Sequence, residues 1–356
     1  MNELVKKIKE ERQALIALCR QYKYIYIYGN GIRGNEQYNF LAGNQIDVTG
    51  YVVSNKKVED NLSQVITYKQ LNTPSEETLI ILALNSVYHK QILEQLKSIG
   101  YTNIYITNLY LRTEFFIEEY EKKGVDFSKE TIEIAGYKMS NIFLNSLYCD
   151  DAIIEIYDLI MPYVANYKYI DEGPYEYGGA KLKQGDIVFD CGANIGMFSV
   201  IAATRGCTCY AFEPTPITLV ELEKNAVLYD GAIHIEPYAV SDYEGKTEFN
   251  IFDNPGRNSF INQEGIAKIK VDTITIDEFV KREKIARVDF IKADIEGAER
   301  NMLKGAEKTI KEFKPQIAIC TYHLEDDKEI LESILHSYVP EYKIVHKWKK
   351  LYAWIE

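Results

Sequence analysis

The apolar positions of this chain fall into two series, each alternating strand-length runs with helix-spaced ones. Residues 24–28, 48–53, 78–84 and 103–107 are short runs rich in Ile, Val, Leu and Tyr, bounded by glycine or polar loops, and read as buried strands. Helical spacing holds over 6–19 and again over 86–99, where Gly100 marks the end. Strands separated by helices predict a small parallel sheet with helical crossovers, so residues 1–109 are expected to form a Rossmann-like domain of their own.

The second series is longer. Strands are predicted at 187–190, 207–212, 232–236, 288–293 and 316–321, helices at 197–204, 216–228, 298–313 and 327–336, and a closing strand pair at 342–346 and 350–354. Two more strands, 246–252 and 266–271, flank the turn-rich loop 253–259, an insertion that would border the ligand edge of the sheet. Between the two series, 110–174 is less regular, with helix-like stretches at 111–122 and 150–163. The expected fold class is therefore α/β, with two Rossmann-like domains, 1–109 and 175–356, joined by a helical connector, 110–174. The second sheet should be mostly parallel with a closing antiparallel strand.

Candidate chemistry gathers at the strand ends of the second series. The run from Asp186 to Ser199 is a strand followed by Asp190-x-Gly192-x-Asn194-x-Gly196 and a helix, a turn whose glycines let the backbone pass close to a ligand. An acid ending the strand repels pyrophosphate, whereas Glu213, about twenty residues past Gly192, stands where a second-strand carboxylate meets ribose hydroxyls. A ligand with a ribose and no diphosphate fits, and S-adenosylmethionine is one. Its amino-acid end would take the glycine turn and its ribose Glu213, with its adenine over Ala239 and Val240 and its amino group near Ser241 or Asp242.

After strand 288–293, Asp294, Glu296 and Glu299 crowd three carboxylates into six positions, which demands pairing, a cation or water. Asp294 is expected at the cofactor's sulfonium or amino group and Glu296 at the acceptor; capping of the next helix is the competing structural role, above all for Glu299. His323, beyond the following strand, is a candidate general base. Asp294, Glu296 and His323 are also of the types that hold a divalent cation, although no metal is assigned.

An earlier glycine turn, Gly29-x-Gly31-x-x-Gly34, follows strand 24–28 in the dinucleotide pattern, but strand 48–53 leads into Ser54 and Asn55 where such a site wants an acid. The net charge of −12 argues against a nucleic-acid partner. The six cysteines lack metal-ligand spacing and are expected to be free thiols. No run approaches the ~20 apolar residues of a membrane span, and the apolar stretch 14–19 is short for a signal segment, so a cytoplasmic location is expected. The expected partner is a small-molecule or glycan acceptor, with self-association through the N-terminal domain or the connector left open.

In chain order, VFDCGANIGMFS (188–199), AFEP (211–214), YAVSD-x-EG (238–245), VDTITIDEF (271–279), FIKADIEGAE (290–299) and ICTYH (319–323) resemble the blocks of the FkbM-type S-adenosylmethionine-dependent methyltransferases. The resemblance covers about residues 175–354. It implies a class I methyltransferase fold, a cofactor held by Asp190, Gly192, Asn194, Gly196 and Glu213, and a block 294–299 beside the transferred methyl group. It also implies an O-methyltransferase acting on a sugar or natural-product hydroxyl. The first domain resembles small Rossmann modules found beside sugar-modifying enzymes, through YIYGNGIRG, GYVVSN and IILAL.

The combined expectation is methyl transfer to a hydroxyl, with cofactor contacts from Asp190, Gly192, Asn194, Gly196, Glu213, Val240, Ser241 and Asp294, and catalytic roles for His323, Glu296 and Asp294. The alternatives are N-methylation of an amino group and a nucleotide-sugar oxidoreductase using the turn 29–34.

Overall fold

Residues 3–55, 65–84, 88–106, 111–144, 153, 156–160, 173–251 and 267–356 are described by the computed structural model, and the chain divides into two units, 1–122 and 123–356. In the first, α1 (Glu3–Cys19) precedes β1 (Tyr24–Tyr28), α2 (Ile32–Gly43), β2 (Gly50–Val53), β3 (Val65–Thr67), β4 (Thr78–Leu82), α3 (His89–Ser98), β5 (Ile104–Ile106) and α4 (Leu111–Lys122). The strands pair in parallel in the order β3-β2-β1-β4-β5. Strand β3 was not expected, because three residues are too few to show a period. The glycines divide the work of the first turn. A Cβ on Gly34 would sit 2.0 Å from the Gly29 carbonyl oxygen, so this position lets α2 pack on the turn, whereas Gly31 faces open space.

The second unit begins with a hairpin, β6 (Thr131–Ile134) and β7 (Tyr137–Ser140), in a stretch read from sequence as connector. Its signal was present: Ile132, Ile134 and Met139 are buried while Glu133 and Lys138 point out, and Ala135 and Gly136 turn at positive φ. Of the helix-like stretch 150–163, only 153 and 156–160 are described, the latter as a single wide π turn.

The main sheet is built from β8 (Ile187–Cys191), β9 (Thr208–Phe212), β10 (Ile233–Glu236), β14 (Phe290–Ala293), β15 (Gln316–Cys320), β16 (Lys343–Lys347) and β17 (Lys350–Trp354). Its order is β10-β9-β8-β14-β15-β17-β16, parallel except for β17, which runs antiparallel to both neighbours. This is the mostly parallel sheet with a closing antiparallel strand, the class I methyltransferase fold that the family resemblance implied. Helices α5 (Met197–Thr204), α6 (Pro216–Ala226), α7 (Ile276–Arg282), α8 (Glu299–Lys304), α9 (Glu307–Phe313) and α10 (Asp327–Tyr338) accompany the sheet. The central strands are fully buried along most of their length, as near-continuous apolar runs in a parallel sheet must be. A side sheet of β11 (Tyr238–Val240), β12 (Gly245–Ile251) and β13 (Ala267–Ile274) follows β10, with β13 in its middle. The loop 253–259 lies outside the described residues.

One predicted helix is two. The run 298–313 breaks between α8 and α9 at Gly305, where a Cβ would stand 2.1 Å from the Ser241 carbonyl oxygen and where the carbonyl accepts a bond from the Asp277 N–H at 2.9 Å. Close backbone packing against β11 and α7, invisible to a periodicity count, sets that break.

The sheet's topological switch lies between β8 and β14, where the chain leaves in opposite directions and a crevice opens at the carboxyl ends. Gly192 sits there at φ +78°, and a Cβ on it would meet the Asp294 carbonyl oxygen at 1.9 Å. Gly192→Ala is therefore expected to cost about 3 kcal/mol or more in urea denaturation, from backbone strain plus collision. Gly231→Ala, at φ +79° with nothing within 4 Å, should cost only about 1 kcal/mol, and equal losses would contradict the crowding argument.

Candidate active site

The glycine turn is held from beneath by charge. Register pairs Lys292 of β14 directly with Asp190 of β8. The Lys292 ammonium lies 2.9 Å from Asp190 Oδ1 and donates to the Gly192 carbonyl at 2.6 Å, while Ser199 Oγ donates to Asp190 Oδ2 at 2.6 Å. Burial alone would depress the lysine, but Asp190 and then Asp294 outweigh it and keep the amine charged. Asp190 is thus fully buried and braces the turn through Lys292 without reaching the cleft.

Past Gly192, Asn194 adopts a left-handed backbone at φ +49° and aims its N–H at Glu213 Oε2, 3.1 Å away. Thr215 N–H donates to the other oxygen at 2.8 Å. Two backbone bonds fix the carboxylate and leave each oxygen a further lone pair. Burial pushes Glu213 above the usual glutamate range despite these bonds. Gly196 caps α5 at φ +89°, where a Cβ would strike Leu222 Cδ1 at 2.4 Å, so its role is to shape the turn. Asn225 ties the same turn down, donating to the Ile195 carbonyl and accepting from Ser140 N–H of β7, both at 2.7 Å.

The cleft above is lined at one end by Gly192, Asn194 and Glu213, along its length by Phe212, Pro214, Tyr238, Ala239, Val240 and Phe249, and at the other end by Asp294, Ile295 and Glu296. Phe212 is wedged edge-on between Phe189 and Phe279, with ring centroids 5.6 and 4.8 Å apart, which fixes the apolar floor. Ser241 is fully buried and bonds its neighbour Asp242; it does not line the cleft.

At the far end, Asp294 Oδ2 accepts from the Tyr175 hydroxyl at 2.6 Å. The Tyr175 ring is held by Lys350, Lys292 and Phe198, at 4.4, 5.1 and 5.3 Å. Burial would raise the Asp294 carboxyl, but Lys292, His323 and Lys350 hold it below the usual range. Glu296, at φ +53°, is lifted above the glutamate range by burial in spite of His323.

The His323 side chain is only 7% exposed, with Nδ1 3.0 Å from Glu299 Oε1, and Nε2 3.6 Å from Asp294 Oδ1 and 3.7 Å from Glu296 Oε1. Burial disfavours the charged ring, yet the surrounding carboxylates Glu296, Glu299 and Asp294 push it up to about 11. At neutral pH the imidazole is therefore a cation without a lone pair to offer, which conflicts with the general-base role expected of it. Glu299 is fully buried and accepts from Ile295 N–H at 2.9 Å, a bond to the loop before α8, which has no side-chain cap of its own. The ligand-type atoms of Asp294, Glu299 and His323 lie within 4.8 Å of one another.

Of the residues expected from sequence, the cleft gathers Gly192, Asn194, Glu213, Val240, Asp294 and Glu296. Asp190, Gly196 and Ser241 support it, and His323 stands behind the two carboxylates. Sequence reasoning missed Lys292, Tyr175 and Phe249. A lysine inside an apolar central strand was a usable signal, since a buried amine needs a carboxylate on a neighbouring strand. The other two lie in segments whose patterns, the turn-rich entry 175–179 and the strand 246–252, point toward the ligand edge without singling out either side chain.

Residues 190–342 match the family described as the methyltransferase FkbM domain. The chain is 28% identical over 162 residues to the 31-O-demethyl-FK506 methyltransferase FkbM of Streptomyces tacrolimicus, covering 36% of this chain and 62% of that protein. It is 30% identical over 126 residues to the hexuronic acid methyltransferase AglP of Haloferax volcanii, covering 35% and 52%. The matches thus span about three-fifths and about half the length of these relatives. Among solved structures, a methyltransferase FkbM from Methylobacillus flagellatus shares 17% identity at a TM-score of 0.43, covering 96% of this chain and 93% of that one.

A histidine raised from 6.5 to about 11 makes the folded state bind an extra proton between those values, so its stabilisation is complete below about pH 6.5 and is lost as pH climbs toward 11. The stability difference between the wild type and His323→Gln should shrink steadily over that window in denaturant titrations. A difference that grew with pH, or an imidazole NMR midpoint below 7, would contradict the cationic assignment.

Proposed function

We propose that the C-terminal unit, built around its FkbM methyltransferase domain, transfers a methyl group from S-adenosylmethionine to a hydroxyl of a sugar or similar small acceptor. The observation that carries this reading is that one cleft joins a glycine turn, a backbone-anchored carboxylate, an apolar floor and a pair of carboxylates. Those four parts fit the four parts of the cofactor. Gly192 and Asn194 would take its amino-acid end, Glu213 its ribose hydroxyls, Val240, Ala239 and Phe249 its adenine, and Asp294 its positive charge. When bound, S-adenosylmethionine supplies an electrophilic methyl group on a cationic sulfur. The activities for which the two relatives are named, on 31-O-demethyl-FK506 and on a hexuronic acid, favour a hydroxyl acceptor.

Glu296 is the base in this account. It lines the cleft beside Asp294, is raised by burial toward working pH, and is ready to take the acceptor's hydroxyl proton as the oxygen bonds to carbon. His323 is a positioning residue: its cation holds Asp294, Glu296 and Glu299 together and keeps Asp294 ionised. Much of the rate would come from alignment of the acceptor with the methyl carbon.

S-adenosylhomocysteine should bind the purified protein in calorimetry at micromolar levels, and Glu213→Ala should weaken binding by about tenfold or more while circular dichroism stays unchanged. Binding of NAD in its place would move the active site to the first unit and overturn the proposal. Glu296→Gln should lower kcat by about 10²–10⁴-fold with little change in S-adenosylhomocysteine affinity, and wild-type kcat should rise with pH through an apparent value above the usual glutamate range. Full turnover in Glu296→Gln would remove it as the base.

A further inference from the structure

Tyr175 makes a contact that the cofactor assignments above leave unused. It is 5% exposed and is not among the residues lining the cleft, yet its hydroxyl donates to Asp294 Oδ2 at 2.6 Å. The ring is placed independently of that bond. The ammoniums of Lys350 and Lys292 lie 4.4 and 5.1 Å from its centre, and Phe198 meets it edge-on at 5.3 Å. The chain on either side is fastened as well: the Tyr352 hydroxyl donates to the Pro174 carbonyl at 2.5 Å, and Glu176 pairs with Arg205 and accepts from the Leu182 N–H at 2.9 Å. Burial and the charge of Asp294 hold the phenol well above its ordinary range, so it keeps the proton it donates.

Asp294 has a fixed backbone, but its carboxylate needs a separate constraint. Its N–H donates to the Cys191 carbonyl at 3.0 Å, so the ladder between β8 and β14 continues through it without setting the direction of the side chain. Two groups compete for that carboxylate: the Tyr175 hydroxyl on Oδ2, and the His323 ring, whose Nε2 lies 3.6 Å from Oδ1. Without the hydroxyl, the imidazolium would draw the carboxylate toward itself and toward Glu296, whose Oε1 is 3.7 Å from the same nitrogen. The tyrosine thereby decides how much of the Asp294 charge faces the cleft.

We infer that Tyr175 is a positioning residue that, by holding Asp294 toward the cleft, makes the site prefer the charged cofactor over its neutral product. The inference rests on the methyl-transfer reading above and adds to it the discrimination between substrate and product. In the transfer, the acceptor oxygen bonds to the methyl carbon, the carbon–sulfur bond breaks with its electron pair staying on sulfur, and the hydroxyl proton goes to Glu296. The cofactor passes from a sulfonium to an uncharged thioether. A carboxylate held at that point binds the first better than the second, which favours release of the product.

Calorimetric titration of the full-length protein with S-adenosylhomocysteine and with sinefungin, which carries an ammonium-bearing carbon in place of the methylated sulfur, separates charge from shape. The wild type should bind sinefungin about tenfold more tightly. Tyr175→Phe keeps the ring and should reduce that preference to about threefold or less, with S-adenosylhomocysteine affinity unchanged within about twofold. Asp294→Asn should abolish the preference, and adding Tyr175→Phe to it should change nothing further, because the tyrosine acts through the carboxylate. A wild type that binds S-adenosylhomocysteine without preferring sinefungin, a preference untouched in Tyr175→Phe, or equal weakening of both ligands, as from general damage to the fold, overturns the inference. Failure of the wild type to bind either ligand sinks the methyl-transfer reading instead.

Discussion

A buried ammonium organises the second unit. Lys292 is only 4% exposed in the middle of a parallel sheet, and such a charge is tolerated only where partners replace its hydration. Asp190 across the ladder provides the counter-charge and the Gly192 carbonyl provides a hydrogen bond. Both partners sit where β8 ends and the chain turns into α5. The cost of burying the pair is therefore converted into a defined position for the turn. Removing one member would strand the other, so the pair acts as a unit.

From that anchor the rest of the site follows by short steps. With Gly192 pinned, its missing side chain lets the Asp294 carbonyl approach, and Asn194 in its left-handed conformation directs its N–H to Glu213. On the other side, Lys292 and Lys350 flank the Tyr175 ring, whose hydroxyl orients Asp294. The acidic end of the cleft is not a loose collection of carboxylates. Each has an assigned partner: tyrosine for Asp294, imidazolium for Glu296, and imidazolium with a backbone N–H for Glu299. Asp294 is thereby kept ionised, while burial leaves Glu296 more basic than an exposed glutamate. Two neighbouring carboxylates with opposed shifts suit two different tasks.

Much of this was legible before folding. The alternation of strands and helices, the glycine turn and the acid after β9 are local patterns, and Gly192, Asn194, Glu213, Val240, Asp294 and Glu296 do meet in one cleft. What escaped was non-local. Asp190 and Gly196 carry the motif's spacing, yet one is consumed by a lysine on another strand and the other by Leu222 of α6. His323 was read from its ordinary proton affinity, which three surrounding carboxylates change. The break at Gly305 depends on the backbone of Ser241, and Phe249 reaches the cleft only because β12 folds back on β13. Periodicity and motif spacing describe a chain's own neighbourhood; these features arise from segments about thirty to a hundred residues apart, where no sequence window reaches.

The central claim is that the cleft from Gly192 to Glu296 is the cofactor site of a methyltransferase. A crystal structure of the protein with S-adenosylhomocysteine tests it most directly. The account predicts ribose hydroxyls on Glu213, the adenine against Val240 and Phe249, and the sulfur facing Asp294 and Glu296. Density for the ligand elsewhere, or a cleft left empty at saturating concentration, would contradict it.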